Sequence, residues 1–255
     1  MPRGVMPVDR FSVADRVVIV TGASRGIGRA VAEGFLQAGA RVTLVGRSES
    51  VLGQLEDGAQ GMAIRADVSS AEDRERICQQ THDEFGRIDV LVNNAGITRT
   101  GQGEYLEEDW DATLSVNLKA PFFLSQLVVQ RMREQGGGGI INIGSIGARV
   151  GMPDNPAYQA AKGGLLQLTR AMARDWAGWN VRVNQVNPGY IHTEMSAASY
   201  ADPDKHRERA DRTMLGRWGT PDDLVGACLF LASGASSYMT GTDITVDGGW
   251  IAKGM

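Results

Sequence analysis

Short apolar runs rich in β-branched residues recur along this chain, and longer segments with helical spacing separate most of them. These runs predict the strands Arg16–Thr21, Arg41–Val45, Gly61–Ala66, Asp89–Asn93, Gly139–Gly144, Val181–Asn187 and Asp243–Val246. Strands that alternate with helices pair in parallel, because each helix crosses back over the sheet in a right-handed connection. The next strand then begins at the same end of the sheet as the strand before it. The sequence therefore predicts an α/β fold, a doubly wound parallel sheet with helices on both faces.

Length and charge limit the possible organisation and partners. The 255 residues fit one large domain, so we expect an irregular tail over residues 1–15 and a single domain over 16–255. The net charge of −4 would repel a nucleic-acid backbone. The first ten residues lack a signal-peptide run, and no segment reaches roughly 18 uninterrupted apolar residues. We expect a soluble, cytoplasmic protein with no nucleic-acid or membrane partner, whose Cys78 and Cys228 are reduced.

The regular alternation fails after Pro188. The segment Tyr190–Arg212 is polar, charged and only intermittently apolar, which is more typical of an active-site lid than of a core element. We therefore predict an irregular substrate lid near residues 190–212. A further helix is predicted at Asp222–Leu231.

A glycine-rich turn, Thr21–Gly28, joins the first predicted strand to the first predicted helix. Glycines permit a tight turn and close approach of a ligand, and the unpaired N–H groups at a helix N-terminus attract phosphate. A merely structural turn is the alternative, but the position between strand and helix favours a dinucleotide pyrophosphate. The predicted cofactor contacts here are Gly22, Ser24, Arg25, Gly26, Ile27 and Gly28.

The end of the second strand indicates which dinucleotide binds. An acidic residue there would hold the ribose hydroxyls of NAD, whereas this chain has Gly46 and Arg47. The guanidinium of Arg47 suits the adenosine 2′-phosphate of NADP, and Arg25 is placed to approach it from the turn. The alternative is that both arginines are solvated surface residues. We predict NADP rather than NAD as the cofactor, with Asp67 and Val68 beside the adenine.

A tyrosine and a lysine one helical turn apart, Tyr158 and Lys162, are suited to acid–base work. A free phenol has a pKa near 10, so a value of about 7 requires about 4 kcal/mol of preferential phenolate stabilisation. The charges of Lys162 and an oxidised nicotinamide have the right sign. A helix-surface pair is the alternative for this spacing alone. Ser145 follows an apolar strand at the ligand-binding edge, and Asn117 is an unfavourable residue inside a helical run, Asp111–Val129.

Taken together, these residues resemble the short-chain dehydrogenases/reductases over about Val17 to Trp250. The resemblance implies a Rossmann-like fold, a catalytic tetrad of Asn117, Ser145, Tyr158 and Lys162, and a homotetramer. It also implies that Asn93–Gly96 is a central-strand motif and that Pro188–Thr193 is the nicotinamide-side loop. Further cofactor contacts then follow: Asn94, Ala95, Gly96, Tyr158, Lys162, Pro188, Gly189, Ile191 and Thr193.

The implied function is an NAD(P)(H)-dependent oxidoreductase that interconverts a carbonyl and a secondary alcohol, with Tyr158 as the acid or base. Lys162 would lower the tyrosine pKa and hold the nicotinamide ribose, Ser145 would orient the substrate oxygen, and Asn117 would support a water-linked proton relay. A non-catalytic dinucleotide sensor or scaffold is the alternative, and the complete set of four residues argues against it.

Two substrate classes remain open at this point. The chain resembles both the beta-ketoacyl-carrier-protein reductases and the sugar-acid or polyol dehydrogenases. We expect Arg149, Met152, Asn155, Tyr190 and Met195 to decide between a beta-ketoacyl thioester and a small sugar acid or polyol. The histidines are scattered, so no metal site is predicted.

Overall fold

Seven parallel strands form a single sheet in the computed structural model, which describes residues 8–48, 60–99 and 103–253. The strands are β1 (Val17–Thr21), β2 (Arg41–Gly46), β3 (Gly61–Arg65), β4 (Val90–Asn93), β5 (Gly138–Ile143), β6 (Val181–Pro188) and β7 (Asp243–Val246). Their order is β3-β2-β1-β4-β5-β6-β7, so the winding direction reverses between β1 and β4. The predicted doubly wound sheet is confirmed, and each predicted strand is present.

Helices cover both faces of the sheet. They are α1 (Gly26–Gln37), α2 (Ala71–Phe85), α3 (Glu107–Leu114), α4 (Ala120–Glu134), α5 (Pro156–Trp176), α6 (Ala197–Ala201), α7 (Pro203–Asp211) and α8 (Val225–Ala232). Successive residues of a strand face opposite sides, so Val18 and Val20 pack with α1 and α8, whereas Ile19 packs with α2, α4 and α5. This alternation divides the core into two apolar clusters, one on each face.

Three segments differ from the sequence expectation. The predicted helical run Asp111–Val129 is α3 and α4 joined by a π-helical turn, Ser115–Lys119. The lid predicted as irregular contains α6 and α7, because Asp202 caps α7 by accepting from the amides of Asp204 and Lys205. Of the predicted tail, residues 1–7 lie outside the described residues, Val8–Phe11 form a short 3₁₀ helix, and Val13 is buried.

The segment Glu107–Glu134 is long and apolar enough, by length and composition, to cross a membrane. Its apolar residues Leu124, Val128 and Met132 are instead completely buried against the sheet. Core packing therefore explains why this segment is so apolar. Both cysteines are free and buried, and burial raises the pKa of the Cys228 thiol to about 12.

Candidate active site

A cleft of about 1190 Å³ runs along the carboxyl edge of the sheet and passes the ends of its central strands. The predicted site residues that line it are Gly22, Ser24, Arg25, Gly26, Ile27, Arg47, Asp67, Val68, Asn94, Ala95, Gly96, Ser145, Tyr158, Lys162, Pro188, Gly189, Ile191 and Thr193. The structure thus brings most of the predicted residues to one cavity. Gly28 and Asn117 are not among the lining residues, and both pack against residues that are.

Gly28 allows α1 to approach the glycine-rich turn. A Cβ added at Gly28 would lie 2.2 Å from the carbonyl oxygen of Gly22 and 2.3 Å from Nδ2 of Asn94. That Nδ2 donates to the carbonyl oxygens of Thr21 at 2.9 Å and Gly22 at 3.2 Å. The lack of a side chain at Gly28 therefore lets α1, the turn and the end of β4 pack together, and its contact with the cofactor stays a prediction.

The start of α1 can hold an anion. Gly22 and Gly26 have φ of 66° and 56°, values that favour glycine, and Arg25 precedes the helix without a side-chain cap. A Cβ at Gly26 would lie 3.4 Å from Cγ2 of Thr193, so the missing side chain leaves an open cradle between the turn and the lid. The unpaired helix N–H groups at this cradle fit the pyrophosphate of a nicotinamide dinucleotide.

The two arginines predicted for the 2′-phosphate lie in different surroundings. Arg47 is exposed at the end of β2 and lines the cleft. Arg25 forms an ion pair with Glu194 of the lid, and both side chains are about two-thirds exposed. The guanidinium of Arg25 therefore links the cofactor turn to the lid, and a phosphate would have to compete with Glu194 for it.

The predicted acid–base residues meet where β5 ends. The Ser145 amide donates to Oδ1 of Asn187 at 3.3 Å, and its Oγ accepts from the Gly147 amide at 3.0 Å. Tyr158 is half-buried, and burial raises the pKa of its phenol, while a hydrogen bond between its hydroxyl and the Ser145 side chain acts in the opposite direction. Ser145 is thus in place to share a substrate oxygen with Tyr158.

Lys162 lies beneath this pair as a buried cation. It is 4% exposed, its Nζ donates to the carbonyl oxygen of Ile143 at 2.7 Å, and it lies 5.6 Å from the Tyr158 ring centroid. Burial lowers the pKa of Lys162 to about 8. Within the protein alone, burial outweighs the effect of Ser145, so the pKa of Tyr158 is raised. The lowered tyrosine pKa expected from the sequence depends on the charges of Lys162 and an oxidised nicotinamide together, and it stays a prediction.

Asn117 lies in the π-helical turn between α3 and α4 and is completely buried. Its Oδ1 accepts from the Ile97 amide and its Nδ2 donates to the Ile97 carbonyl oxygen, both at 2.8 Å. A Cβ at Gly96 would be 3.4 Å from Oδ1 of Asn117 and 3.9 Å from Nζ of Lys162. Both polar groups of the Asn117 side chain therefore fix the loop after β4, and the support of a water-linked proton relay by Asn117 stays a prediction.

Sequence reasoning missed the charged face of α7. Lys205, Glu208, Arg209 and Arg212 line the cleft with a helical spacing that the sequence already carried. By contrast, Arg149, expected to help select the substrate, is not among the lining residues and is held by Asp243 at 2.5 Å. Among the described residues, no group of His, Cys, Asp and Glu is arranged to hold a metal ion.

A glycine turn at a helix N-terminus and a Ser–Tyr–Lys set, joined by a single cleft, define an NAD(P)-dependent oxidoreductase that interconverts a carbonyl and a secondary alcohol. A family model described as enoyl-(acyl carrier protein) reductase matches residues 22–251. The chain belongs to this family, the short-chain dehydrogenases/reductases. The family, fold class and general reaction predicted from the sequence are therefore confirmed.

Similar proteins include dehydrogenases of sugar acids and a reductase of acyl chains. The 2-dehydro-3-deoxy-D-gluconate 5-dehydrogenase of Escherichia coli (strain K12) is 39% identical over 97% of this chain and 100% of its own. The 3-oxoacyl-[acyl-carrier-protein] reductase of Thermotoga maritima is 42% identical over 92% and 98%. The gluconate 5-dehydrogenase of Burkholderia cenocepacia J2315, solved in complex with NADP and tartrate, superposes with a TM-score of 0.92, at 35% identity, over 96% and 98%.

Proposed function

We propose that this protein catalyses the NADP(H)-dependent interconversion of a secondary hydroxyl and a ketone on a small sugar acid or polyol. The observation that carries the proposal is the continuous cleft between the phosphate cradle at Gly22–Ile27 and the Ser145, Tyr158 and Lys162 group. Sugar-acid dehydrogenases among the similar proteins support this substrate class. A 3-oxoacyl thioester is a second candidate, supported by the similarity to the acyl-chain reductase of Thermotoga maritima.

Each residue of the site has its own role in the proposed reaction. Tyr158 donates its phenolic proton to the ketone oxygen in reduction and accepts the hydroxyl proton in oxidation, while Ser145 donates a hydrogen bond to that oxygen. Lys162, protonated and buried below, favours the phenolate when the proton has left. Bound NADP(H) supplies the hydride donor or acceptor. Asn117 keeps the loop at Gly96 and Ile97 in place beside this group.

The preference for NADP(H) over NAD(H) belongs to the same proposal. Gly46 stands where an acidic side chain would bind a ribose diol and repel a phosphate. Arg47, next in sequence and exposed in the cleft, supplies a planar set of donors that suits a 2′-phosphate. Similar dehydrogenase structures with bound NADP support this assignment.

We further propose a cytoplasmic homotetramer, as the family resemblance implies. Trp110 on α3 and Phe123 on α4 are each 39% exposed, and apolar surface of this kind supports burial against another subunit. Sedimentation equilibrium should give a mass close to four chains, and a monomer at micromolar concentration would contradict the proposed assembly.

The catalytic assignment is tested by Tyr158→Phe. This variant should retain NADPH affinity and lose at least about 10²-fold in turnover, because it removes the proton donor and keeps the ring. Tyr238→Phe, at a fully exposed tyrosine outside the cleft, is the matched control and should keep wild-type turnover. NADPH binding and turnover are measured on one preparation of each variant. Turnover of Tyr158→Phe within a few-fold of wild type, with binding intact, would exclude the proposed role.

A further inference from the structure

The substrate end of the cleft carries two arginines whose charge is not matched by the protein. Lys205, Glu208, Arg209 and Arg212 all line the cleft from α7 and its C-terminal cap. In the part of the chain that the structure describes, Arg25, Arg149 and Arg217 have carboxylate partners within 4 Å, whereas Arg209 and Arg212 have none. The chain is acidic as a whole, with a net charge of −4, so carboxylates are not scarce on its surface.

Aromatic rings hold both guanidiniums in place. The guanidinium carbon of Arg209 lies 4.6 Å from the Tyr190 ring centroid and 5.7 Å from that of Trp218, and that of Arg212 lies 4.3 Å from the Trp250 ring centroid. Tyr190 packs against both tryptophans, at centroid distances of 5.4 Å and 6.1 Å. A guanidinium stacked on a ring keeps its N–H groups in its own plane, above the ring face, where they remain able to bind a planar anion.

The cluster of Arg209 and Arg212 with their aromatic rings adjoins the predicted reaction centre. Tyr190 lies two residues beyond the end of β6, and Asn187, the penultimate residue of that strand, accepts a hydrogen bond from the amide of Ser145. Trp250 also lines the cleft and is 7% exposed, and its Nε1 is a buried donor without a hydrogen-bond partner. Buried polar atoms in proteins are generally satisfied, so an unpaired donor on the ring that Arg212 covers supports a ligand oxygen at this end of the cleft.

From this arrangement we infer that Arg209 and Arg212 bind the carboxylate of the substrate, and that they select a small sugar acid over a neutral polyol or an acyl thioester. The inference rests on the proposed function and names the substrate class that the site accepts. Arg209 and Arg212 are binding residues in this proposal, and Tyr158 remains the proton donor. The carboxylate is held at the lid while the hydroxyl to be oxidised lies at Ser145 and Tyr158.

The test compares a six-carbon aldonate with its aldonamide, which has the same chain but no charge, at saturating NADP⁺. Wild type should favour the aldonate by about ten-fold or more in kcat/KM, the scale of a charge-assisted hydrogen bond that water partly screens. Arg209→Met and Arg212→Met should raise KM for the aldonate by about that factor, with a smaller change in kcat, because the lost contact is made before and during reaction.

Two further variants distinguish the loss of the arginine charge from a change in the structure of α7. Arg207→Met alters an exposed arginine of α7 that is not among the cleft-lining residues, and it should leave the discrimination unchanged. Arg212→Lys keeps the charge without the planar donor set and should fall between wild type and Arg212→Met. Added salt should raise KM for the aldonate more than for the aldonamide, because only the aldonate is screened.

Binding of the aldonate to each variant, measured by calorimetry, separates this inference from the proposed function. Absence of turnover with every hydroxyl and carbonyl compound would contradict the proposed function, while the arginine assignment would still be judged by aldonate binding. The arginine assignment would be overturned if wild type used aldonate and aldonamide equally well, if Arg209→Met and Arg212→Met affected both compounds alike, or if a 3-oxoacyl thioester were preferred.

Discussion

A buried lysine at the reaction centre combines a catalytic requirement with a cost in stability. Lys162 is 4% exposed and has a single protein acceptor, the carbonyl oxygen of Ile143. Burial lowers its pKa from 10.5 to about 8, so the folded protein holds this charge less favourably than the unfolded chain does. The proposed role of Tyr158 as proton donor and acceptor accounts for this cost, because a nearby positive charge favours the phenolate.

Lys162→Met should abolish turnover and stabilise the fold. The pKa change from 10.5 to about 8 corresponds to about 3 kcal/mol of destabilisation at pH 7, and the lost bond to Ile143 offsets about 1 kcal/mol of the gain. A lowered lysine pKa means that the folded state binds fewer protons between pH 8 and 10.5, so wild-type stability rises in that window. The advantage of the variant should therefore shrink by pH 10. Urea unfolding of both proteins at pH 7 and pH 10 measures this, and a destabilised variant at pH 7 would contradict it.

The proposed preference for NADP(H) rests on two neighbouring residues, Gly46 and Arg47. Arg47→Ala should weaken NADP(H) selectively, because a charge-assisted hydrogen bond contributes about 1.5–3 kcal/mol before screening by water. Gly46→Asp should weaken NADP(H) further and improve NAD(H), since a carboxylate repels the 2′-phosphate and binds the ribose diol. The measurement is kcat/KM with both cofactors for wild type and both variants. An equal effect of Arg47→Ala on the two cofactors would show that Arg47 does not contact the 2′-phosphate.

The contact between α1 and α8 explains why one helical position requires glycine. A Cβ at Gly34 of α1 would lie 2.3 Å from Cγ1 of Val225 at the start of α8, and a valine side chain has little freedom to move away. The next residue of α8, Gly226, has no heavy atom within 4 Å of its Cβ position. Position 34 of α1 therefore requires glycine, whereas position 226 of α8, next to Val225, has room for a side chain.

Gly34→Ala and Gly226→Ala form a matched pair that tests this contact. Gly34→Ala should lower the free energy of unfolding by about 1–3 kcal/mol, as overpacking does. Gly226→Ala should raise it by roughly 0.5 kcal/mol, because alanine has the higher helix propensity and meets no neighbour. Thermal and urea unfolding at one protein concentration measure both. Equal effects of the two substitutions would show that the α1–α8 contact does not restrict position 34.

The whole molecule combines a rigid sheet with a lid that has little buried surface. The strands β1 and β4 are buried throughout, whereas α6 has no buried residue and α7 has Ala210 alone among its described residues. The lid is held instead by ring contacts, such as His192 stacked on Tyr200 at 3.6 Å, and by the Arg25–Glu194 ion pair. Segments with few buried contacts open at low free-energy cost.

Hydrogen exchange should therefore distinguish the lid from the sheet. Amides of α6 and α7 should exchange much faster than those of β1 and β4 in the free protein, and they should gain protection when NADP⁺ and a sugar acid are bound. The free protein, the binary complex and the ternary complex are compared by mass spectrometry. Strong and equal protection of the lid in all three would contradict its role as a substrate-ordered segment.

Some properties of this protein follow from sequence alone because local spacing encodes them. A continuous apolar run rich in β-branched residues marks β1, the glycine spacing of Thr21–Gly28 marks the phosphate turn, and four-residue spacing puts Tyr158 and Lys162 on one helix face. These features depend on neighbours along the chain. The fold class, the strand positions and the place of most predicted site residues in the cleft were therefore predictable.

Other properties were decided only by the tertiary structure, because burial and side-chain partners come from residues distant in sequence. The tight packing at Gly28 and the hydrogen bonds of the Asn117 side chain to Ile97 were decided in this way, since the groups that they contact belong to other elements. Arg149 is paired with Asp243, whereas Arg209 and Arg212 lie on aromatic rings in the cleft without carboxylate partners within 4 Å in the described part of the chain. Sequence shows that each arginine carries a charge, but only the folded chain determines which charge is matched within the protein and which faces a ligand.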